Sequence, residues 1–161
     1  MTAQDVSDIH RHDIRVLGRL IKVTLDSAEG YREASRDSKD PGRKLAYGRL
    51  AEQRDALVEA LQHASRDLGG QPDRDGSLLA KAHRAFMDIK HALLRDDDAL
   101  DGEIRNGESW LIDTYEVALN DPDLGEPTRE IVRRAFDLID PHPDHREEHL
   151  LPPEENLRPG A

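Results

Sequence analysis

The chain contains no cysteine, which removes disulfides, thiolate nucleophiles and thiolate metal ligands together. No apolar run approaches the roughly 18 residues that mark a membrane-spanning helix. No alternation of β-branched residues announces strands. A basic patch able to neutralise phosphate is also missing: the formal net charge is −11, with acidic residues along the whole sequence. Nucleic acid and anionic membrane surfaces are therefore not expected partners. Gly69-Gly70 lacks the lysine of a phosphate-binding loop. There is no Gly-x-Ser-x-Gly elbow, nor a Ser–His pair that helical geometry would enforce. Residues 1–13 are polar and lack the apolar core of a secretory signal, so a cytoplasmic location is the expectation.

What the sequence does hold is narrow apolar stripes. Hydrophobic residues make up 36% and charged residues 35%, a balance that amphipathic helices with polar outer faces accommodate best. After a frayed leader over residues 1–8, the positions Ile14, Leu17, Ile21, Thr24, Ala28 and Tyr31 alternate at four and three, the spacing of a bundle helix. Breakers over 38–42 end that helix near Asp37. Asp40 then caps a second helix with Pro41 in its first turn, and its stripe is Tyr47, Leu50, Arg54, Leu57, Leu61, Ala64 and Leu68 up to the Gly69-Gly70 stop. The short connection makes the two an antiparallel hairpin.

A polar loop over 71–76 leads to Ser77, the cap of a third expected helix with Leu79, Ala82, Phe86, Ile89 and Leu93 inward. Arg95-Asp96-Asp97-Asp98 interrupts it and starts a fourth over 99–120. A fifth, over 128–139, turns Ile131, Ala135 and Leu138 inward. Proline at 141, 143, 152, 153 and 159 forbids further continuous helix. The expectation is an all-α chain: an antiparallel four-helix bundle over 9–120, an additional helix over 121–140, and a flexible Pro-rich acidic tail over 141–161.

The fourth helix carries the most telling residue. Ile104, Glu108, Leu111, Tyr115 and Ala118 fall on one stripe, and Glu108 places a carboxylate inside an apolar seam, which is costly unless it is neutralised. One candidate is Arg54, the only charged residue on the stripe of the second helix. A buried Arg54–Glu108 pair, with Tyr31, Tyr115 or His83 completing its hydrogen bonds, would fix helix register and order. The other candidate is a metal. Di-iron bundles supply two Glu-x-x-His motifs, and this chain has none. Its nearest spacings are Asp88-x-x-His91 and Glu59-x-x-x-His63. A carboxylate site for iron or another divalent metal would draw on Glu108, Glu59, Glu29 or Glu33, and His83. The tail histidines His142, His145 and His149 read as solvated, while Tyr31, Tyr115 and Trp110 read as core aromatics.

Several stretches resemble a known family. Asp26-Ser27-Ala28-Glu29-Gly30-Tyr31-Arg32-Glu33-Ala34, Leu50-Ala51-Glu52-Gln53-Arg54, Leu68-Gly69-Gly70, Ala82-His83-Arg84-Ala85-Phe86-Met87-Asp88 and Gly107-Glu108 with Tyr115 occur in the order and spacing of a bacterial family of the ferritin-like superfamily whose domain has no assigned function. The similarity covers roughly residues 9–119. It implies a ferritin-like antiparallel four-helix bundle, family-like positions at Tyr31, Arg54, Glu59, His83, Glu108 and Tyr115, and a superfamily that often houses di-iron centres. Relatives commonly continue into a long C-terminal helix bearing a histidine, and Pro141 and Pro143 interrupt that region here. Two functions follow as expectations. One is a bundle that binds metal through interior carboxylates in stress or iron physiology. The other is a non-catalytic scaffold that self-associates into a homo-oligomer through helix faces, built on a structural Arg–Glu core.

Overall fold

A computed structural model describes residues 1–72 and 97–140, apart from the side chains of 97–100 and 103. Four helices are found there: α1 (Ala3–Asp37), α2 (Pro41–Asp67), α3 (Asp97–Leu119) and α4 (Glu126–Ile139). There is no strand among the described residues, as an all-α bundle requires. The helix expected from Ser77, which carries His83, and the tail from Pro141 lie outside the described residues.

Local chemistry sets the helix ends. α1 starts earlier than its apolar stripe suggests, because Thr2 and Asp5 form a reciprocal capping box: the Thr2 hydroxyl accepts from the Asp5 amide and the Asp5 carboxylate accepts from the Thr2 amide at 2.7 Å. Such a cap satisfies two amides that the helix cannot, so the expected frayed leader is instead the first turns of α1. Asp40 caps α2 by accepting from the Arg43 amide at 2.8 Å, with Pro41 preset at the first position. At its far end, Gly69 takes φ +93° and the amides of Gly69 and Gly70 bond back to the carbonyls of Arg66 and Ser65. That is the paired C-terminal motif which a left-handed residue makes possible.

Contacts between helices give their directions. Thr24 of α1 meets Tyr115 of α3, Ser27 meets Glu108, and His12 meets Asp121, so α1 and α3 run antiparallel. Tyr47 of α2 meets Asp101 and Arg54 meets Glu108, so α2 and α3 run parallel. The shared core takes Leu17, Leu20 and Ile21 from α1, Leu57 and Leu61 from α2, and Leu111 and Tyr115 from α3.

α4 belongs to that core as fully as the others. Val132, Ala135, Phe136 and Ile139 are buried, and Phe136 stacks on Tyr115 with ring centroids 6.1 Å apart. The expected inward face of this helix is corrected by about one residue. Ile131 is 36% and Leu138 55% exposed. Both registers have helical spacing, and the larger apolar payload of Phe136, together with the tether at Thr128 described below, selects the second one.

Candidate functional site

Where α1, α2 and α3 meet, the apolar seam gives way to a polar node. Arg54 extends from α2 with only 1% of its side chain exposed, and its Nη2 donates to Glu108 Oε2 at 2.9 Å. Its Nε donates to Ser27 Oγ at 3.3 Å, and Nη1 donates to the neighbouring Gln53 Oε1 at 2.5 Å. Ser27 in turn donates to Glu108 Oε1 at 3.2 Å. Both oxygens of Glu108 are thus engaged, and every nitrogen of Arg54 has an acceptor. A guanidinium in this position is tolerable only because its charge is paired and its donors are spent.

Two tyrosines bound the node. The Tyr31 ring lies under Arg54, 5.6 Å from guanidinium carbon to ring centroid, a cation–π geometry. Burial raises the Tyr31 phenol well above its ordinary range, and the negative charge of Glu108 raises it further while Arg54 opposes. Tyr115 is fully buried. Its hydroxyl is 2.8 Å from Thr24 Oγ1, whose own proton goes to the Leu20 carbonyl at 2.7 Å, so Tyr115 is the donor to Thr24. Burial pushes the Tyr115 phenol up to about 12 from 10.0. Of the four residues expected in a polar core, Arg54 and Glu108 are hydrogen-bonded to each other and the Tyr31 ring lies beside the guanidinium, while Ser27 and Gln53 supply further hydrogen bonds and the Tyr115 hydroxyl bonds to Thr24 instead.

Among the described residues, the carboxylates expected in a cluster are not gathered at one place. Glu59 follows Arg54 by five residues, which rotates it roughly 140° around α2, and it is exposed. Glu29 pairs with Arg32, and Glu33, although buried, sits 3.0 Å from Arg36 Nη2. His63 pairs with Asp67 at 3.2 Å on the surface. Among the described residues no group of three His, Asp or Glu side chains is arranged to hold a metal ion. His83, Asp88, His91 and the tail histidines lie outside the described residues.

Two features escaped the sequence reading. The first is a tether between α1 and α4. Asp13, 2% exposed, accepts from the Gly125 amide at 3.0 Å and from the Thr128 hydroxyl at 2.6 Å. α4 has no side-chain cap of its own, so a carboxylate from a distant helix caps it, where the helix dipole also favours negative charge. Nearby, the Arg129 guanidinium donates to the carbonyls of Leu119, Asp121 and Leu124, which closes the α3–α4 turn. His12 Nε2 lies 2.8 Å from Asp121. The Asp121 carboxyl is held below the usual carboxylate value, first by the Asp123 amide and then by His12. Pairings across more than a hundred residues of sequence leave no local pattern to read.

The second feature is a groove on the outer side of α1 and α3. Trp110 is 67% exposed, which corrects its reading as a core aromatic. It stands roughly 120° from the centre of the Glu108 stripe at 100° per residue. With Val117 and the α1 residues Val16 and Leu20 it lines a mainly apolar hollow of about 280 Å³. The signal was present, since Trp110 and Val117 are spaced by seven on one face.

The folded region defines a helical-bundle domain with an internal Arg–Glu node. The chain belongs to the family described as Domain of unknown function (DUF2383), whose model matches residues 12–121, more than half of its length. The match takes in α3 with its Glu108 and ends before α4. No curated protein matches the chain, and no solved structure matches it. No helix among the described residues is long and apolar enough to cross a membrane.

Proposed function

We propose that this protein is a non-catalytic helical bundle of the ferritin-like kind that acts in the cytoplasm by associating with protein, foremost with copies of itself. The Arg54–Glu108 node is then its register lock. The observation that carries this reading is the engagement of Glu108. Arg54 and Ser27 take both of its oxygens, and withdrawing the carboxylate to ligate a metal would strand a buried guanidinium, at about 3–5 kcal/mol. The exposed Trp110 and Val117 on the same helix support a role exercised at the surface, where tryptophan is favoured in protein interfaces.

The competing reading keeps iron or another divalent metal inside the bundle. It is favoured by the family resemblance and by the burial of the Glu33 carboxylate at 3% exposure, yet Arg36 already neutralises that group. Sedimentation of untagged protein over a wide concentration range, with elemental analysis of the same sample, separates the two. Concentration-dependent association with substoichiometric metal is expected. A strict monomer carrying stoichiometric iron, manganese or zinc overturns the proposal.

A further inference from the structure

The glycines of α3 differ from those that the fold requires. A Cβ at Gly70 or Gly125 would collide with its neighbours, whereas one at Gly102 or Gly107 would meet nothing within 4 Å. Among the described glycines only Gly69 has positive φ. Gly107 therefore weakens its helix relative to alanine, with no turn and no close approach to demand it. What glycine provides at this position is chemical. Asn106–Gly107 is the only Asn–Gly dipeptide in the chain, and both residues are exposed. No hydrogen bond among the described residues holds the Asn106 carboxamide. With no side chain on the following residue, the amide nitrogen after the asparagine is open to attack the carboxamide carbon.

We infer that Asn106–Gly107 is a site of self-modification by deamidation, controlled by opening of the first half of α3, and that its isoaspartate product releases the Arg54–Glu108 lock. The Gly107 nitrogen gives its proton to hydroxide and bonds to Asn106 Cγ, and the carboxamide nitrogen leaves as ammonia. Water then opens the five-membered imide at either carbonyl, which yields aspartate or isoaspartate. No oxidant or reductant is needed. The folded helix restrains the reaction twice. It bonds the Gly107 amide to the carbonyl four residues earlier, and a helical ψ of about −42° keeps that nitrogen turned away from Asn106 Cγ. The rate is thus the rate in free chain multiplied by the fraction of time for which the segment is open.

The restraints on that opening are few. Tyr47 and Arg43 of α2 hold Asp101, and Arg54 holds Glu108. The Asp101–Gly102 pair is a poorer site, because an ionised, engaged carboxylate resists attack by the nitrogen. Isoaspartate carries the chain through the side-chain carbonyl and so adds a carbon to the backbone just before Glu108. That insertion breaks the helical spacing by which Glu108 meets Arg54 at 2.9 Å. The aspartate product leaves the backbone as it was. The chemical step stands alone, and its effect rests on the register-lock reading above.

The test incubates the full chain in mildly alkaline buffer beside a synthetic peptide of residues 101–112, followed by mass-spectrometric peptide mapping. Asn106 should convert while Asn120 and Asn156, which precede aspartate and leucine, stay intact. Folded protein should react more slowly than the peptide, by the protection that hydrogen exchange measures at the Gly107 amide to within about threefold. Glu108→Gln, which keeps the size of the side chain and removes its charge, should speed conversion about tenfold. Gly107→Ala, with room for its methyl group, should slow it at least about tenfold, since alanine both hinders the attack and strengthens the helix. Purified isoaspartyl protein should exchange faster over 101–108 and unfold at lower urea, and Asn106→Asp should do neither. Asn106 left intact while the peptide converts fully overturns the site. Isoaspartyl protein that exchanges and unfolds like the unmodified chain overturns the release of the lock. Sedimentation of the unmodified protein reads the self-association proposal separately from both.

Discussion

Arg54 Nη2 and Glu108 Oε2 are 2.9 Å apart, and the two residues differ sharply in environment: the arginine side chain is 1% exposed, the glutamate 23%. The glutamate retains a path to water that the arginine lacks. Removal of the two partners should therefore be unequal in effect. Glu108→Ala leaves a buried positive charge against the Tyr31 ring and should cost about 3–5 kcal/mol. Arg54→Met should cost less, because Glu108 can turn outward and a methionine fills the vacated space. The double variant should be less destabilised than the sum of the two. Urea unfolding of metal-free protein measures all three. A Glu108→Ala protein as stable as the wild type would show that the guanidinium does not depend on this carboxylate.

The tyrosines make alkaline pH a second probe. Burial raises the Tyr115 phenol to about 12 against 10.0 in the free side chain, and Tyr31 is raised as well. As pH rises past 10 the unfolded chain loses these protons first, so it binds fewer protons than the folded chain and stability falls. The contribution is complete below about pH 10 and is lost between there and about pH 12. Stability followed by denaturant midpoint over that window should decline, and Tyr115→Phe should flatten part of the slope. The same variant should cost about 1 kcal/mol at neutral pH, for the hydrogen bond donated to Thr24. An unchanged slope in Tyr115→Phe would exclude Tyr115 from the alkaline transition.

The sequence was legible where a local rule acted alone. Asp40-Pro41 marked the start of α2 and Gly69-Gly70 its stop, since caps and left-handed turns are written in adjacent residues. The Arg54–Glu108 node was legible too, because a lone charge on each of two apolar stripes has few other ways to be satisfied. Register was less readable. Val132, Phe136 and Ile139 follow the same four-and-three spacing as Ile131, Ala135 and Leu138, and the packing of Phe136 on Tyr115 together with the Thr128 tether decides between them. Trp110 was misassigned because hydrophobicity was taken as a sign of burial, a rule that holds in one direction only. Asp13 was invisible because its partners lie in a helix more than a hundred residues away.

Glycine stops differ in why they are glycine, and α2 offers a case. A Cβ at Gly70 would stand 2.3 Å from Ser65 Oγ and 2.9 Å from the Ser65 carbonyl oxygen. The carbonyl is backbone and cannot step aside. Gly69 has open space around it but φ +93°, so an L side chain there is strained by about 1 kcal/mol. Gly70→Ala should be the more damaging of the two, because it breaks the bond from Gly70 to Ser65 that closes the helix. Melting temperatures of the two single variants test the order, and a Gly69→Ala protein less stable than Gly70→Ala reverses it.

The Asp13 tether allows a stricter test, because its two sides fail for opposite reasons. Asp13→Ala removes the acceptor of the Gly125 amide and the Thr128 hydroxyl, leaving α4 uncapped at a buried end, for about 2 kcal/mol. Gly125→Ala retains the acceptor but brings a methyl group within 2.7 Å of Asp13 Oδ2 and 3.3 Å of Ile9. Gly125 has φ −59°, so this penalty is steric and owes nothing to backbone strain. Once Asp13 is alanine, the main obstacle to a methyl group at position 125 is gone. The double variant should then be little worse than Asp13→Ala alone, whereas independent sites would add. Amide hydrogen exchange localises the effect: both single variants should speed exchange in α4 before they do so in α1 or α2. Additive penalties, or exchange that rises uniformly over the four helices, would mean that Asp13 does not hold α4 in place.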